Sequence, residues 1–248
     1  MVKTIGVLAI QGAVAEHIAC IEMLGHRTKE IRRIEDFDEI DGLILPGGES
    51  TTMAIVWEES GLFPALRKWV EDKRPVYGTC AGMILLSDHA IKTADGGQAL
   101  LGGLDVHVCR NYFGSQIYST KIDVESAAVS GETSTFPAVF IRAPAILKVG
   151  SDVQVLATLM AAPHRSARRD VLCLLGLEPD EMVGPSVTTI TAGIGATDTM
   201  RRADNQAECF EVIVAVRQGN ILATAFHPEL TSDLRWHSLF IDMVEECP

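Results

Sequence analysis

Apolar residues fall along this chain as short continuous runs that alternate with helix-spaced stripes. Thr4 to Ile10 is an apolar run rich in β-branched residues, which predicts a buried strand, and Gln11-Gly12 breaks it. Val14, Ile18 and Ile21 then recur at helical spacing with Leu24 three further on, and Gly25 marks a stop. Asp41 to Pro46 predicts a second buried strand ending in Gly47-Gly48. Ser50-Thr51-Thr52 offers the cap of a helix through Met53 to Trp57. Pro75 to Thr79 predicts a third strand, and a short helix carrying Ile84, Leu85 and Leu86 follows Cys80. This threefold alternation argues an α/β protein with three layers: a mostly parallel central sheet flanked by helices on both faces.

The middle of the chain has a different rhythm. Leu104 to Cys109, Ser115 to Asp123, Ala138 to Ile141 and Val153 to Thr158 are closely spaced strands, more meander than strand-helix-strand. Phe210 to Arg217 and Ile221 to Phe226 flank Gln218-Gly219-Asn220, a hairpin signal, and a helix over about Ser232 to Glu246 closes the sequence. Met160 to Cys209 stands apart, with no Phe, Tyr or Trp, three prolines and a Thr/Ala/Gly-rich stretch from Thr188 to Thr199. We expect a single domain over residues 1–248 with a partly mobile insertion at about 160–209, outside the central core. One short ordered piece is expected there, around Val171 to Leu177.

Composition narrows the function. Lys and Arg total 21 against 33 Asp and Glu, a net charge of −12, which disfavours a general nucleic-acid binder. No apolar run approaches the roughly 20 residues of a membrane helix, and the N-terminus lacks the pattern of a signal peptide, so a cytoplasmic protein away from membranes is expected. The six cysteines form no C-x-x-C pair, so no metal site is signalled. No cofactor is expected either.

Candidate chemistry gathers at the predicted strand ends. Gly78-Thr79-Cys80-Ala81-Gly82 follows a strand and opens a helix, the thiol form of a nucleophile elbow. Small residues flank the turn because larger ones would strike the neighbouring strand and helix. The helix start favours a thiolate at Cys80 and places the Ala81 N–H for an oxyanion. His227-Pro228-Glu229 directly follows the last apolar strand, where a histidine reaches the same sheet edge and Glu229 fixes its tautomer. Pro46-Gly47-Gly48-Glu49-Ser50 lets the backbone approach a ligand and present N–H groups. The remaining histidines compete poorly for the role of base: His17 lies on a helix, His164 in the insertion and His237 in the last helix, while His89 and His107 stay open.

Together, these three pieces resemble class I, triad-type glutamine amidotransferases, whose sheet has a flavodoxin-like arrangement. Leu8 to Val14 with Glu16-His17, Leu43 to Met53, Arg110 to Gln116, Phe140 to Pro144 and Phe226 to Thr231 are similar to the glutaminase subunit of pyridoxal 5′-phosphate synthase. The resemblance runs from about Thr4 to Thr158 and resumes from about Phe210 to Val244. It implies hydrolysis of L-glutamine to L-glutamate and ammonia, with the ammonia channelled to a (β/α)8 synthase subunit that makes pyridoxal 5′-phosphate. On that resemblance Cys80 is the nucleophile, His227 the base and Glu229 its orienting partner. Gly47, Gly48 and Glu49 bind glutamine together with Arg110, Ile141 and Arg142, and the N–H groups of Gly48 and Ala81 form the oxyanion hole. Gln11 sits at the face meeting the synthase. The roughly 50-residue insertion between Thr158 and Phe210 is the departure from the family pattern. The competing readings are a non-catalytic regulatory or scaffold subunit, and a glutaminase serving a different synthase. The complete Cys80, His227 and Glu229 set stands against the first, and the long matching blocks against the second.

Overall fold

The computed structural model describes residues 1–91, 98–114, 120–129, 134–174 and 209–247. The first half alternates as its pattern predicts: β1 (Thr4–Leu8), α1 (Val14–Met23), β2 (Arg27–Ile31), β3 (Gly42–Leu45), α2 (Ser50–Glu59), α3 (Leu62–Glu71), β4 (Val76–Thr79), α4 (Ala81–Leu86) and β5 (Ser87–Ala90). Then follow β6 (Leu104–Cys109), β7 (Thr120–Glu125), β8 (Thr135–Phe140), β9 (Ala145–Val149), β10 (Gln154–Ala161), α5 (Arg165–Leu174), β11 (Phe210–Gln218), β12 (Ile221–Thr224) and α6 (Arg235–Glu246).

Among the described residues ten strands form one sheet in the order β2-β1-β3-β4-β12-β11-β9-β6-β5, with β10 paired to β11. The strands from β2 to β12 pair in parallel, as do β5 and β6. β11 reverses the direction through the Gly219-Asn220 hairpin and leads into antiparallel pairings with β9 and β10. The middle strands are not a continuous meander: β7 and β8 form a separate antiparallel ribbon, while β6 pairs with β9 and β10 with β11. In the parallel half, β3, β4 and β12 are buried at every residue, as expected of strands covered by helices on both faces. The closing helix buries Trp236, Phe240, Ile241, Met243 and Val244, a helical stripe laid against the sheet.

Three further expectations change. The cap of α2 is Glu49 rather than the Ser-Thr-Thr run: its carboxylate accepts the Thr52 N–H at 2.8 Å, while Ser50 already lies inside the helix and donates to Gln98. β2, α3, β5 and β9 exist where no element was expected. The ordered piece expected around Val171 to Leu177 is met by α5, which begins six residues before Val171 and is described as far as Leu174. Finally, α5 is not peripheral to the core: Ala167, Val171 and Leu172 are buried, a stripe of small and aliphatic side chains that needs no aromatic anchor. Residues 175–208, within the expected insertion, lie outside the described residues, as do Ser115 and Gln116.

Candidate active site

The C-terminal ends of β1, β3, β4 and β12 are neighbours at one edge of the sheet. Open α/β sheets place their clefts there. Each of these strands hands its following loop to one cleft of about 410 Å³: Gln11 after β1, Gly47 to Glu49 after β3, Cys80 after β4 and His227 after β12. Arg110 and Asn111 after β6 and Ile141 and Arg142 after β8 close the other side.

The elbow has the geometry its glycines foretell. A Cβ on Gly78 would stand 2.7 Å from the Gly82 carbonyl carbon, and one on Gly82 would overlap the Leu45 carbonyl, so the strand, the helix and the neighbouring strand approach as closely as backbone allows. Cys80 itself sits at φ 47° and ψ −100°, a strained conformation for a residue with a Cβ. Its backbone is tied on both sides, with N–H donated to Thr224 O at 2.8 Å and C=O accepting the Ile84 N–H at 3.2 Å. Asn111 (φ 54°) and Arg142 (φ 49°) share the left-handed region and line the same cleft, so three of the five such non-glycine residues described gather here.

His227 is held by its own backbone N–H, which donates to Val139 O at 2.9 Å. The preceding Phe226 ring packs among Phe136, Phe140 and Trp236 with centroids 5.1 to 5.8 Å apart. Its Nδ1 meets Glu229 Oε1 at 2.7 Å, and the Cys80 side chain hydrogen-bonds the same imidazole. Burial pulls the His227 pKa down, yet the hydrogen bonds to Cys80 and Glu229 and their negative charge outweigh it and hold it up at about 10. Glu229 is buried, which favours its neutral form. His17 and His227 facing its carboxylate overcome that and keep it below the usual carboxylate range.

Across the cleft, Arg110 Nη2 lies 3.0 Å from Thr51 Oγ1 and 3.5 Å from Glu49 Oε1. Burial raises the Glu49 pKa, but the Thr52 and Thr51 hydrogen bonds and the Arg110 charge lower it overall, so the carboxylate stays ionised. An anion and a guanidinium thus stand side by side, partly exposed to the cleft. Gly47 approaches the chemistry most closely, since a Cβ there would overlap the His227 ring and stand 3.3 Å from Cys80 Cβ. Its carbonyl accepts the Ala13 N–H at 3.4 Å, which turns the Gly48 N–H of the same trans peptide in the opposite direction. Ala81, at the first position of α4, keeps an N–H with no carbonyl of its own helix to bond.

The cleft therefore gathers Cys80, His227, Gly47, Gly48, Glu49, Arg110, Ile141, Arg142 and Gln11, with Glu229 behind His227 and Ala81 beneath Cys80. His89 and His107 stack on each other across β5 and β6, away from it. His17, set aside in the sequence because it lies on a helix, is buried beside Glu229. Among the described residues no group of three or more His, Cys, Asp or Glu could hold a metal ion, and no helix is long and apolar enough to cross a membrane.

A sequence model described as the SNO glutamine amidotransferase family matches residues 7–165 and 186–246. The chain belongs to this family. A probable pyridoxal 5′-phosphate synthase subunit PDX2 of Arabidopsis thaliana is 46% identical over 246 residues, 98% of this chain and 86% of the relative. The pyridoxal 5′-phosphate synthase subunit PdxT of Clavibacter sepedonicus is 39% identical over 242 residues, covering 98% and 91%. A crystal structure of a glutamine amidotransferase superposes with a TM-score of 0.69 at 33% identity, covering 97% of this chain and 98% of that one. The SNO amidotransferase fold extends to a putative GMP synthase component from Thermoplasma acidophilum, with a TM-score of 0.56 at 16% identity over 99% and 96% of the two chains.

Proposed function

We propose that this chain is the glutaminase subunit of a pyridoxal 5′-phosphate synthase, hydrolysing L-glutamine and passing the ammonia to a (β/α)8 synthase subunit. The observation that carries the reading is the alignment of Cys80, His227 and Glu229 beside a cleft whose other wall pairs an anion with a guanidinium. A free amino acid is a zwitterion. Glu49 suits its ammonium and Arg110, with Arg142, its carboxylate, which leaves the side-chain amide directed at Cys80. The names of the PDX2 and PdxT relatives support the synthase assignment.

The proposed steps use that geometry. The Cys80 thiolate attacks the amide carbon and an Sγ–C bond forms. The oxyanion is met by the N–H groups of Gly48 and Ala81. The C–N bond breaks as the His227 imidazolium gives its proton to the departing nitrogen, which leaves as ammonia. His227, now neutral, takes a proton from water, which attacks the thioester. The Sγ–C bond breaks, glutamate forms, and Cys80 and His227 return as an ion pair. Gln11 lies at the cleft's rim, where the face toward the synthase is expected.

The test is glutamate release from L-glutamine, with and without the cognate synthase, with Cys80→Ala as control. Release that depends on Cys80, and product formation by the complex that survives Cys80→Ala when ammonia is supplied, are the expected results. A folded, synthase-binding protein that releases no glutamate in either condition would return the regulatory-subunit reading.

A further inference from the structure

The mechanism above uses one oxygen of Glu229. The other, Oε2, is buried with no hydrogen-bond partner meeting ordinary geometry, and His17 Nε2 lies 3.5 Å from it. His17 is itself fully buried on α1. Its Nε2 also meets Thr79 Oγ1 at 3.2 Å, on the residue just before the nucleophile, and its Nδ1 meets His237 Nε2 of α6 at 2.9 Å. One imidazole thus touches the triad's acid, the strand end that carries the thiol, and a second buried imidazole.

We propose that His17 is a positioning residue for the triad, a neutral imidazole whose Nε2–H is directed at Glu229 Oε2 and whose Nδ1 accepts the His237 Nε2–H. The proposal rests on the reading of Cys80, His227 and Glu229 as the catalytic set. The proton placement follows by elimination. A bare Nε2 could accept from Thr79 Oγ1 but would set its lone pair against a carboxylate oxygen 3.5 Å away, so Nε2 carries the hydrogen, shared between that oxygen and Thr79 Oγ1 at 3.2 Å. Neutral His17 then has a bare Nδ1, so the short contact to His237 requires the hydrogen on His237 Nε2. That leaves His237 Nδ1 bare, and it is the ring nitrogen with no partner. An unpartnered lone pair is the only orphan this arrangement leaves on either ring.

The groups facing His17 agree with neutrality. Glu229 and His227 approach from the segment after β12, Tyr77 and Thr79 from β4, His237 from α6, and Glu16 from its own helix. Burial lowers the His17 pKa, Glu229 opposes, and His227 lowers it further, with the net direction downward. His237 is pushed down to about 3, chiefly by burial and then by His17. The imidazolium of the site is therefore His227, and His17 acts on it by holding the carboxylate that faces it.

The test compares His17→Gln, His17→Asn and His17→Leu, each assembled with the cognate synthase, with Cys80→Ala alongside. A glutamine amide reaches as far as Nε2, donating to Glu229 and accepting from His237. An asparagine amide reaches only Nδ1, and leucine supplies neither bond. We expect kcat to fall about 10- to 100-fold in the Asn and Leu variants, the scale on which outer hydrogen-bond partners act, and to be largely restored in the Gln variant. KM for glutamine should stay within about twofold. The descending alkaline limb of the rate should move to lower pH in the Asn and Leu variants, because a less firmly held Glu229 stabilises the His227 imidazolium less. Wild-type kcat and an unmoved limb in His17→Asn and His17→Leu, with Cys80→Ala inactive, would overturn the proposal and leave the catalytic reading intact. A Gln variant as impaired as the Leu variant would also overturn it. Full glutaminase activity in Cys80→Ala would overturn both. Should the variants fail to fold, 15N-histidine spectra of the wild-type complex decide: the buried pair should appear as two neutral, non-titrating Nε2–H tautomers, and an Nδ1–H tautomer in either ring would refute the placement.

Discussion

Replacing Cys80 by Gly rather than Ala isolates the strain in the elbow. Both changes delete the thiol and leave the His227 imidazolium without its partner, so those losses cancel in the comparison. What differs is the backbone. Cys80 is held at φ 47° and ψ −100° by hydrogen bonds on both of its peptide units, to β12 through N–H and to α4 through C=O, so neither variant can relax without losing one of them. Alanine keeps the Cβ that makes this conformation costly, about 1 to 3 kcal/mol for sparsely populated regions. Glycine removes that cost but adds unfolded-state entropy of about 0.4 to 1 kcal/mol. The net expectation is that Cys80→Gly is more stable than Cys80→Ala by about 1 to 2 kcal/mol. For a domain of this size, that is a rise in melting temperature of about 2 to 8 °C. Urea denaturation followed by circular dichroism gives the free energies, and calorimetry the melting temperatures. Both variants should be inactive with glutamine. A Cys80→Ala protein as stable as Cys80→Gly, with equal urea dependence, would refute the claim that the elbow stores strain.

Arg110→Lys should raise KM for glutamine about 10- to 100-fold with little change in kcat, since a hydrogen bond to a charged group is worth about 1.5 to 3 kcal/mol and lysine lacks the planar fork; steady-state glutamate release checks this, and an unchanged KM would remove Arg110 from substrate binding. The His227 pKa rises from an ordinary 6.5 to about 10 in the folded protein, so the stability this imidazolium contributes is fully present below pH 6.5 and is lost as pH climbs toward 10. The stability gap between wild type and His227→Asn should therefore shrink across that window in urea titrations, and a gap that widens would reverse the assignment of charge.

The sequence made the centre of the sheet legible because burial on both faces leaves an unbroken apolar signature in β3, β4 and β12. The same logic hides β2. It is an edge strand whose residues Arg27 to Glu30 keep contact with solvent, so only Ile31 is fully buried and no pattern announces it. α3 carries a clean stripe of Leu62, Leu66 and Trp69, but it follows α2 across a break at Ser60-Gly61, where local reading sees no separate helix. α5 was obscured by Arg165, Arg168 and Arg169 around its buried Ala167 and Val171. At the site, the proposed nucleophile and base, Cys80 and His227, were legible because each directly follows a predicted strand, and Glu229 because it lies two residues after His227. His17 was not, since its partners Thr79 and His237 lie 62 and 220 residues away and its position on the apolar side of α1 reads as ordinary core.

The buried charges explain why a histidine suits position 17 better than a permanent cation. Glu229 serves His227 only while its negative charge is directed at that ring. A lysine or arginine against Oε2 would share the charge, lower the His227 pKa and weaken the proton donor of the proposed mechanism. A neutral N–H orients the carboxylate and leaves its charge whole. His237 completes the arrangement by supplying the hydrogen bond that selects the required tautomer of His17, and burial keeps it from ionising until about pH 3. The chain of contacts from His237 through His17 and Glu229 to His227 therefore carries one cation, at the end that touches Cys80. The cost of burying Glu229 is met by two partners that differ in kind, one charged and one not. That difference gives the carboxylate a direction.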